Sequence, residues 1–274
     1  MPDSVGRYEL IRELARGSTA TVYLARDPVA EREVALKVFA HAPGDVGLTR
    51  GTHRASFLNE AALVGRLHHP YIVALLDAGV EPGYSHVVME YVPGGTLAQH
   101  TVSGRLLPLK RVLESAFKIS RALDYALQHG VLHRDIKPAN VLLAEPFNIK
   151  LTDFGVARIA IATHTEITGV GSPAYMSPEQ LADLPLDHRT DIYSLGVLTY
   201  QLLSGRLPFH APSIGELMRL IAQQEAPRLR VLRPELPAVI EATVLRAMQK
   251  DANLRYQTWT DFSTDLSISL ASLG

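Results

Sequence analysis

The sequence predicts an α+β protein made of a small β-rich lobe followed by a larger helical lobe. Residues 8–92 consist mostly of short strand-like segments, whereas from residue 109 onward the apolar residues repeat with a helical period. The connector VPGGTL at 92–97 separates the two patterns, and we place a hinge at 90–95. Because ligands tend to bind in clefts between such lobes, we expect the functional site there.

Five segments of the first lobe have the composition of β-strands, rich in Val, Ile, Leu and Tyr and separated by turn residues. They read YELIREL, ATVYLA, EVALKVF, YIVALLDAG and SHVVMEYV. One helix interrupts them at about 54–67. Its residues Phe57, Ala61, Val64 and Leu67 are spaced by four, three and three positions, which places their side chains on one apolar face.

The second lobe begins with a long amphipathic helix. Its apolar stripe consists of Leu109, Val112, Leu113, Ala116, Ile119, Leu123, Ala126 and Leu127. Four more helices are predicted at about 190–204, 213–224, 237–249 and 259–270. Between the first and second helices lie two short strands, NVLLA and IKLTD, and then a longer stretch too polar and irregular to form an element. Long irregular segments in compact domains are often functional.

Composition excludes several classes of function. The 274 residues are 47% hydrophobic, enough for one large domain or two small lobes with their own cores. Since 27 basic residues nearly balance 28 acidic ones, the charge indicates neither a nucleic-acid partner nor a membrane surface. The absence of cysteine rules out disulfides and thiolate chemistry and fits a cytosolic domain. No apolar run of about 18 residues occurs, so we expect no membrane insertion of this segment.

The most informative stretch is VLHRDIKPANVLL at 131–143, which is followed by DFG at 153–155. Asp135, Lys137 and Asn140 stand in a loop ahead of a strand, where they can converge on one point. The competing interpretation is a surface loop with ordinary polar residues. A chance match at this many fixed positions has a prior below about one per cent, so the stretch indicates a functional site.

With these motifs the chain resembles the eukaryotic-type Ser/Thr protein kinases, most closely their bacterial relatives, over essentially its full length. The other motifs of the resemblance are VALK, VMEYVPGGTL, GSPAYMSPEQ, DIYSLGVLTYQLLSGRLPF and LRYQT. The resemblance implies a bilobal protein kinase fold at 7–270, with an N-lobe at 7–92, a C-lobe at 96–270 and an activation segment at 153–179. It also implies transfer of the γ-phosphoryl group of Mg-ATP to Ser and Thr hydroxyls of proteins.

The resemblance assigns roles to the residues of the two central motifs. Asp135 would orient the incoming hydroxyl and accept its proton, while Lys137 offsets charge on the transferring phosphoryl group. Asn140 and Asp153 would supply oxygen ligands to Mg²⁺, a hard cation that holds the phosphates. These four polar side chains therefore form the expected catalytic centre.

Lys37 is a further expected catalytic residue, because a lysine inside the apolar run VALKVF needs an anionic partner. Glu60, on the helix at 54–67, is the expected partner. Taken alone, Lys37 would be better explained as a side chain that reaches solvent. Beside the other motifs, the interpretation as a nucleotide-binding lysine is favoured.

The adenine pocket is also inferred from the resemblance. Met89 would close its back, Val22 and Leu142 would sandwich the ring, and the backbone of Glu90 and of Val92 would hydrogen-bond the base. The residues expected to bind the nucleotide are Leu14, Ala15, Arg16, Gly17, Ser18, Thr19, Ala20, Val22, Ala35, Lys37, Glu60, Met89, Glu90, Val92 and Leu142.

The segment ARGSTATVYL, residues 15–24, departs from the family's phosphate-binding loop. Aligned on Val22, the pattern GxGxxGxV falls on Ala15, Gly17, Ala20 and Val22, so only the central glycine remains. Glycine reaches positive φ and lets backbone N–H groups approach phosphate oxygens, and we expect both needs to be greatest at Gly17. The hairpin should still form if both alanines have negative φ, at a cost of about 1 kcal/mol in looser phosphate contact.

The activation segment contains the expected phosphorylation sites. Arg134 is expected to be a buried cation that, together with Arg158, needs an anion, and a phosphothreonine would satisfy both. The candidates are Thr168, Thr165 and Thr163. Ser172, four residues after Thr168, is expected to hydrogen-bond the catalytic loop instead. Three further residues have expected structural roles: Glu179 and Arg255 as a buried ion pair, and Asp191 as a brace for the HRD backbone.

The resemblance implies ATP as the phosphate donor and Mg²⁺ as the metal, with Mn²⁺ as an alternative. It further implies protein substrates, a homodimer for autophosphorylation in trans, and a cytoplasmic location for this domain. No nucleic-acid partner is expected.

Two other functions compete with this reading. A pseudokinase would bind partners without transferring phosphate, and only the altered glycine loop favours it, since the lysine, the catalytic Asp and the metal ligands are present. A small-molecule phosphotransferase with a kinase-like fold would share the Asp and Asn but normally lacks the SPE segment and its arginine partner. Residues 171–180 and Arg255 argue against that class.

Overall fold

The computed structural model describes residues 3–17, 20–41, 51–144, 148–154 and 173–273. In these ranges the chain forms two compact units. The first contains the residues up to Pro93 together with Phe154, and the second contains Gly94–Asp153 and the residues from Pro173 onward. None of the helices in the described ranges is long and apolar enough to cross a lipid bilayer.

An antiparallel six-stranded sheet forms most of the first unit. Its strands are β1 Ser4–Val5, β2 Tyr8–Arg16, β3 Thr21–Asp27, β4 Arg32–Ala40, β5 Leu75–Glu81 and β6 Tyr84–Glu90, in the order β1-β2-β3-β4-β6-β5. The five predicted strands are present. The sixth, β1, was not predicted, because two residues are too few to show an alternating pattern.

The sheet buries one face in a core of its own. The buried residues of this cluster are Val5, Tyr8, Ala25, Val34, Leu36 and Val88. Since side chains alternate along a strand, the residues between these positions lie on the opposite face of the sheet. Phe39 in β4 lies on that second face, and its ring meets the ring of Phe57 edge-on, with centroids 6.3 Å apart.

Phe57 belongs to α1, Gly51–Val64, the one helix described in the first unit. The helix ends three residues earlier than predicted. The N–H of Gly65 donates to Ala61 O, and the N–H of Leu67 then donates to Val64 O in a turn. The predicted apolar face is nevertheless buried, because Leu67 is only 2% exposed from its position in that turn.

The second unit is mainly helical. Its helices are α2 Leu109–Gln128, α3 Pro178–Leu181, α4 His188–Ser204, α5 Ile214–Gln223, α6 Leu229–Leu232, α7 Ala238–Ala247 and α8 Trp259–Ala271. A hairpin of β7 Val141–Ala144 and β8 Asn148–Leu151 follows α2. The five predicted helices are present, and the four-residue helices α3 and α6 were too short to predict. The α+β class is confirmed.

Helix α4 forms the centre of the second unit. It packs against α2 on one side and α7 on another, and every residue from Thr190 to Leu203 is buried. The helix begins at the N-cap Asp187, whose carboxylate accepts the N–H of Arg189, and ends at Gly205, which has a φ of 73°. Polar side chains on such a buried helix can hydrogen-bond to the loops that surround it.

Candidate active site

The predicted catalytic residues of the loop before β7 come together. Lys137 Nζ donates to Asp135 Oδ2 at 2.7 Å, and Asn140 Nδ2 donates to the same oxygen at 2.9 Å. Asn140 Nδ2 also donates to the backbone carbonyl of Asp135 at 2.8 Å. The carboxylate is therefore fixed by two side chains, while the Asp135 side chain remains 32% exposed and open to an incoming hydroxyl group.

His133 orients this loop, and sequence reasoning did not assign it a role. Its Nδ1 accepts the N–H of Asp135 at 3.2 Å, and its Nε2 lies 2.9 Å from Thr152 O. With Nδ1 as the acceptor, the hydrogen bond to Thr152 O is donated by the N–H at Nε2. The signal for this role was the histidine of the HRD motif itself.

Asp191 braces the loop from α4, as predicted. Its two carboxylate oxygens accept the backbone N–H groups of His133 and Arg134, each at 2.8 Å. Burial raises the pKa of Asp191, and the bonds from His133 and Arg134 oppose that effect. Arg134 has a φ of 64°, a conformation that a non-glycine residue keeps only when its surroundings hold it.

The side chain of Arg134 corrects one expectation. It is exposed to solvent rather than buried, because the loop uses the Arg134 backbone and leaves the guanidinium outside. A hydrated guanidinium does not require a protein anion, so burial of Arg134 gives no reason for a phosphothreonine partner, and that partner stays a prediction. Thr163, Thr165, Thr168, Arg158 and Ser172 lie outside the described residues.

The two predicted metal ligands are held next to each other by the hairpin. The N–H of Thr152 donates to Asn140 O at 2.9 Å, and Asp153 is the next residue. Since Asn140 Nδ2 is used by Asp135, the amide oxygen is the atom of Asn140 that can bind a cation. One amide oxygen and one carboxylate form a hard donor set, which fits Mg²⁺ shared with phosphate oxygens. Elsewhere in the described ranges, no three His, Cys, Asp or Glu side chains gather as a metal site.

The ion pair predicted between Glu179 and Arg255 is confirmed. Arg255 Nη1 and Nη2 donate to the two carboxylate oxygens of Glu179 at 2.6 and 2.8 Å. The neighbouring Ser177 caps α3 and lies 2.5 Å from the hydroxyl of Thr190 on α4. The segment from Pro173 to Leu181 is thus fixed to the helical core of the second unit.

Four predicted nucleotide-binding residues share one face of the sheet in the first unit. Lys37 pairs with Val22 on β3, and Ala35 pairs with Met89 on β6. Directly opposite residues of an antiparallel pair lie on the same face, and Ala35 and Lys37 are two positions apart on β4. This is the face opposite the buried cluster that contains Leu36, and all four residues are half-buried on it.

Glu60 lies on the same side as Lys37. It follows Phe57 by three positions on α1, and Phe57 contacts Phe39, which is two residues from Lys37 on β4. The sheet and helix therefore bring the two charged residues to the same side of the unit. The ion pair between Lys37 and Glu60 stays a prediction.

The hinge predicted at 90–95 has one described backbone contact in the first unit and a close approach in the second. The N–H of Glu90 donates to Ala74 O at 3.0 Å, and the backbone contacts of Glu90 and Val92 with an adenine base stay a prediction. In the second unit, Leu142 bridges to Thr96, and Gly94 approaches β7 so closely that a Cβ on it would lie 2.0 Å from Leu143 O. Glycine is therefore required at 94, next to the strand that contains Leu142.

The phosphate-loop hairpin forms despite its alanines. Ala15 pairs with Val22, and neither Ala15 nor Ala20 has a positive φ, so the condition for alanine at both sites is met. Arg16, also on β2, is paired with Glu13. Ser18 and Thr19 lie outside the described residues.

Gly17 differs from the expectation. Its φ is not in the left-handed region, and an added Cβ would lie 3.5 Å from Ala20 O, an ordinary contact. The described residues therefore place no steric demand for glycine at 17, where the backbone N–H of Gly17 donates to Ala20 O at 2.8 Å. Any demand for glycine must come from the approach of a phosphate group.

The sequence profile of the protein kinase domain matches residues 8–263 of this chain. The chain therefore belongs to the protein kinase domain family. It is 38% identical over 267 residues to the serine/threonine-protein kinase PrkC of Bacillus subtilis, covering 95% of this chain and 40% of that protein. It is 35% identical over 272 residues to the serine/threonine-protein kinase PknB of Mycolicibacterium smegmatis, covering 95% and 42%. The chain thus spans about two-fifths of the length of these relatives.

A solved structure gives the same result for the fold. The kinase domain of PknI from Mycobacterium tuberculosis is 29% identical to this chain, with a TM-score of 0.76 and 97% of both chains covered. A double mutant of that domain gives a TM-score of 0.78 at 28% identity. The α+β arrangement of this chain is the protein kinase fold, and the bacterial branch named from the motifs is confirmed.

Proposed function

We propose that this chain is a serine/threonine protein kinase domain that transfers the γ-phosphoryl group of ATP to Ser and Thr hydroxyls of proteins. One observation supports this above the others: a single oxygen of Asp135 receives both Lys137 Nζ and Asn140 Nδ2. The backbone N–H of the same aspartate donates to His133 Nδ1. A carboxylate held this firmly by its neighbours is suited to orient a hydroxyl group and take its proton.

The other site residues would stabilise charge and bind the nucleotide and the metal. Lys137 lies beside the carboxylate, where its ammonium group can offset charge on the group in transfer. Lys37, with Glu60 as its partner, would bind phosphate oxygens from the sheet of the first unit. Asn140 and Asp153 would hold Mg²⁺, which neutralises the phosphates when it is bound. Catalysis of phosphoryl transfer depends mainly on this kind of positioning and charge stabilisation.

The choice of Ser and Thr as acceptors rests on two supports. The relatives PrkC and PknB are named as serine/threonine-protein kinases. In addition, the SPE segment is present and its glutamate is paired with Arg255. Small-molecule phosphotransferases with related folds normally lack this segment, so protein substrates are favoured.

Several finer points complete the proposal. We place the kinase domain at 7–270, with the hinge at 90–95 and the activation segment at 153–179. Autophosphorylation in a transient homodimer would modify Thr168, Thr165 or Thr163, and Mn²⁺ would substitute for Mg²⁺. Because the reaction consumes ATP, we propose that the domain acts in the cytoplasm.

The test is incubation of the purified chain with labelled ATP, Mg²⁺ and a generic protein substrate, followed by phosphoamino-acid analysis. Phosphoserine and phosphothreonine are expected. Asp135→Asn should reduce the rate by about 10²- to 10⁴-fold, the contribution of a general base. Asp124→Asn, which changes a carboxylate on α2 that pairs only loosely with Arg121 at 3.8 Å, is the matched control and should keep full activity. Absence of transfer by the wild-type protein would favour the pseudokinase.

A further inference from the structure

A side chain from α3 reaches the backbone of the catalytic loop. Gln180 Nε2 donates to the carbonyl oxygen of Arg134 at 2.8 Å, although the two residues are 46 positions apart. Gln180 Oε1 is buried and finds no donor among the described residues. Within the described part of the chain, the bond to Arg134 is thus the one hydrogen bond that the side-chain amide of Gln180 makes.

With this bond, both polar groups of one peptide are hydrogen-bonded. The peptide that joins Arg134 to Asp135 has its carbonyl bound by Gln180 and its N–H bound by His133 Nδ1. The preceding N–H, that of Arg134, is bound by Asp191. Because Arg134 has a φ of 64°, it would relax toward a commoner conformation if these bonds were lost. Such relaxation would turn the Cα–Cβ bond of Asp135 and displace its carboxylate.

The backbone of Gln180 is itself fixed by contacts of α3. Its backbone N–H donates to Ser177 Oγ at 3.3 Å in the cap of α3, and the adjacent Glu179 is paired with the fully buried Arg255. The side chain therefore extends from an anchored backbone. The position of α3 is transmitted to the carbonyl of Arg134 through one amide group.

We propose that Gln180 is a positioning residue for Asp135. Through its hydrogen bond to Arg134 O, the position of α3 affects the orientation of the catalytic carboxylate. This inference rests on the proposed kinase function for its kinetic consequence. The structural part of the inference, that Gln180 fixes the Arg134–Asp135 peptide, does not depend on activity.

Gln180→Met keeps the length and volume of the side chain and removes the donor. It should lower kcat about tenfold, as expected for the loss of one net hydrogen bond that acts on the transition state, and leave KM for ATP unchanged. Hydrogen exchange in peptides covering 131–137 should become faster, because the N–H of Asp135 would lose its fixed geometry. If Gln180 had only a structural role, its loss would lower stability without lowering kcat at an unchanged KM for ATP.

Gln180→Glu gives a signature that depends on pH. An ionised carboxylate cannot donate to Arg134 O, whereas a protonated one can donate its O–H. The ratio of kcat for Gln180→Glu to kcat for Gln180→Met should therefore rise as the pH falls from about 8 to about 5.5. Taking the ratio at each pH cancels the titration of the groups that the two variants share.

Gln257→Met is the matched control. Gln257 Nε2 also donates to backbone carbonyls, those of Ala252, Asn253 and Arg255, and within the described ranges no hydrogen bond joins it to the catalytic loop. This variant should lower the melting temperature while kcat and the exchange of peptides 131–137 stay at wild-type values.

The outcomes separate the inference from the proposed function. Lower kcat, unchanged KM for ATP and faster exchange in Gln180→Met, but not in Gln257→Met, support the inference. Wild-type kcat in Gln180→Met, or a pH-independent ratio of the two Gln180 variants, overturns it. A wild-type protein without any transfer overturns the proposed function instead, and the exchange comparison alone then decides whether Gln180 holds the peptide.

Discussion

Arg255 and Glu179 are 76 residues apart in the sequence and form a two-bond ion pair in which every guanidinium donor is used. Nη1 and Nη2 each bind one oxygen of Glu179. The remaining three N–H groups donate to the carbonyls of Gln249, Arg189 and Lys250. Burial alone would raise the pKa of Glu179, but the bonds from Arg255 outweigh it and lower the pKa. The pair therefore stays ionised and fixes α3 to the loop before α8.

Arg255→Met should destabilise the folded protein by about 3–5 kcal/mol, because it leaves the carboxylate of Glu179 buried without its cation. The measurement is the free energy of unfolding in denaturant. Arg121→Met, which removes an exposed arginine from α2, should cost at most about 1 kcal/mol.

A double-mutant cycle tests the cause of that loss. When Glu179→Gln is combined with Arg255→Met, the loss should be smaller than the sum of the two single losses, because no charge is left unpaired. Additive losses would show that packing of the arginine stem, rather than the ion pair, gives the stabilisation.

Asp191→Asn should impair catalysis through the backbone of the catalytic loop. In Asn an NH₂ group replaces one of the two carboxylate oxygens, so one of the two N–H groups that Asp191 binds would face a donor. Leaving that N–H unsatisfied should cost about 1–3 kcal/mol of stability and release the φ of Arg134. We expect a lower kcat with little change in KM for ATP.

The control for Asp191→Asn lies on the same helix. Asp187 is the N-cap of α4, where Asn caps about as well as Asp. Asp187→Asn should therefore keep wild-type kcat. Equal kcat in the two variants would contradict the role given to Asp191.

The sequence contained most of the catalytic centre, because those residues stand close together in one loop. Asp135, Lys137 and Asn140 lie within six positions, and their chemistry limits what they can do. The brace by Asp191 and the pair of Glu179 with Arg255 were also inferred, since they belong to ordered motifs. Contacts of this kind follow from the fold once the fold is recognised.

Other features depend on three-dimensional detail that no residue pattern contains. Gln180 is one polar residue in a short helix, and its bond to Arg134 O becomes visible only when α3 and the loop are placed together. The exposure of Arg134 was misjudged because an arginine near a catalytic centre suggests a buried charge, whereas here its backbone has the structural role. The φ of Gly17 was misjudged because the expectation came from a three-glycine loop.

Restoring the two missing glycines should change nucleotide affinity more than stability. Ala15→Gly combined with Ala20→Gly should lower KM for ATP modestly, because backbone N–H groups could approach the phosphates without a Cβ between them. The measurement is steady-state kinetics with ATP as the varied substrate. An unchanged KM would show that the alanines cost nothing in phosphate contact.

Gly17→Val should impair the enzyme far more than the alanines do. Among the described residues, an added Cβ at 17 would meet Ala20 O at 3.5 Å, an ordinary contact, so the hairpin should still form and the melting temperature should change little. The effect should appear as a higher KM for ATP, since the side chain occupies the space that phosphate would approach. A large fall in stability with unchanged KM would contradict this explanation.

Lys250 gives the protein a pH dependence of stability in the alkaline range. Its Nζ donates to Ile221 O at 2.7 Å and lies 4.1 Å from the centroid of the Phe209 ring. Burial lowers the pKa of Lys250 to about 8, so between about pH 8 and its ordinary value of 10.5 the unfolded chain binds a proton that the folded chain has lost. In this range the contribution of Lys250 to stability increases as pH rises.

The measurement is the free energy of unfolding of wild type and Lys250→Met at several pH values between about 8 and 10. The wild type should gain stability relative to the variant as the pH rises, because the difference isolates the titration of this one lysine. Parallel pH profiles of the two proteins would show that Lys250 titrates alike in the folded and unfolded states.

The most direct test of the account measures Mg·ATP binding and single-turnover phosphoryl transfer on the same preparations of wild type and Asp135→Asn. Binding is followed by calorimetry, and transfer to a Ser/Thr peptide is followed at saturating ATP. We expect both proteins to bind Mg·ATP with similar affinity and only the wild type to transfer phosphate at an appreciable rate, since Asp135 acts on the hydroxyl group and not on the nucleotide. Equal transfer rates in the two proteins, or binding without transfer in the wild type, would contradict the account.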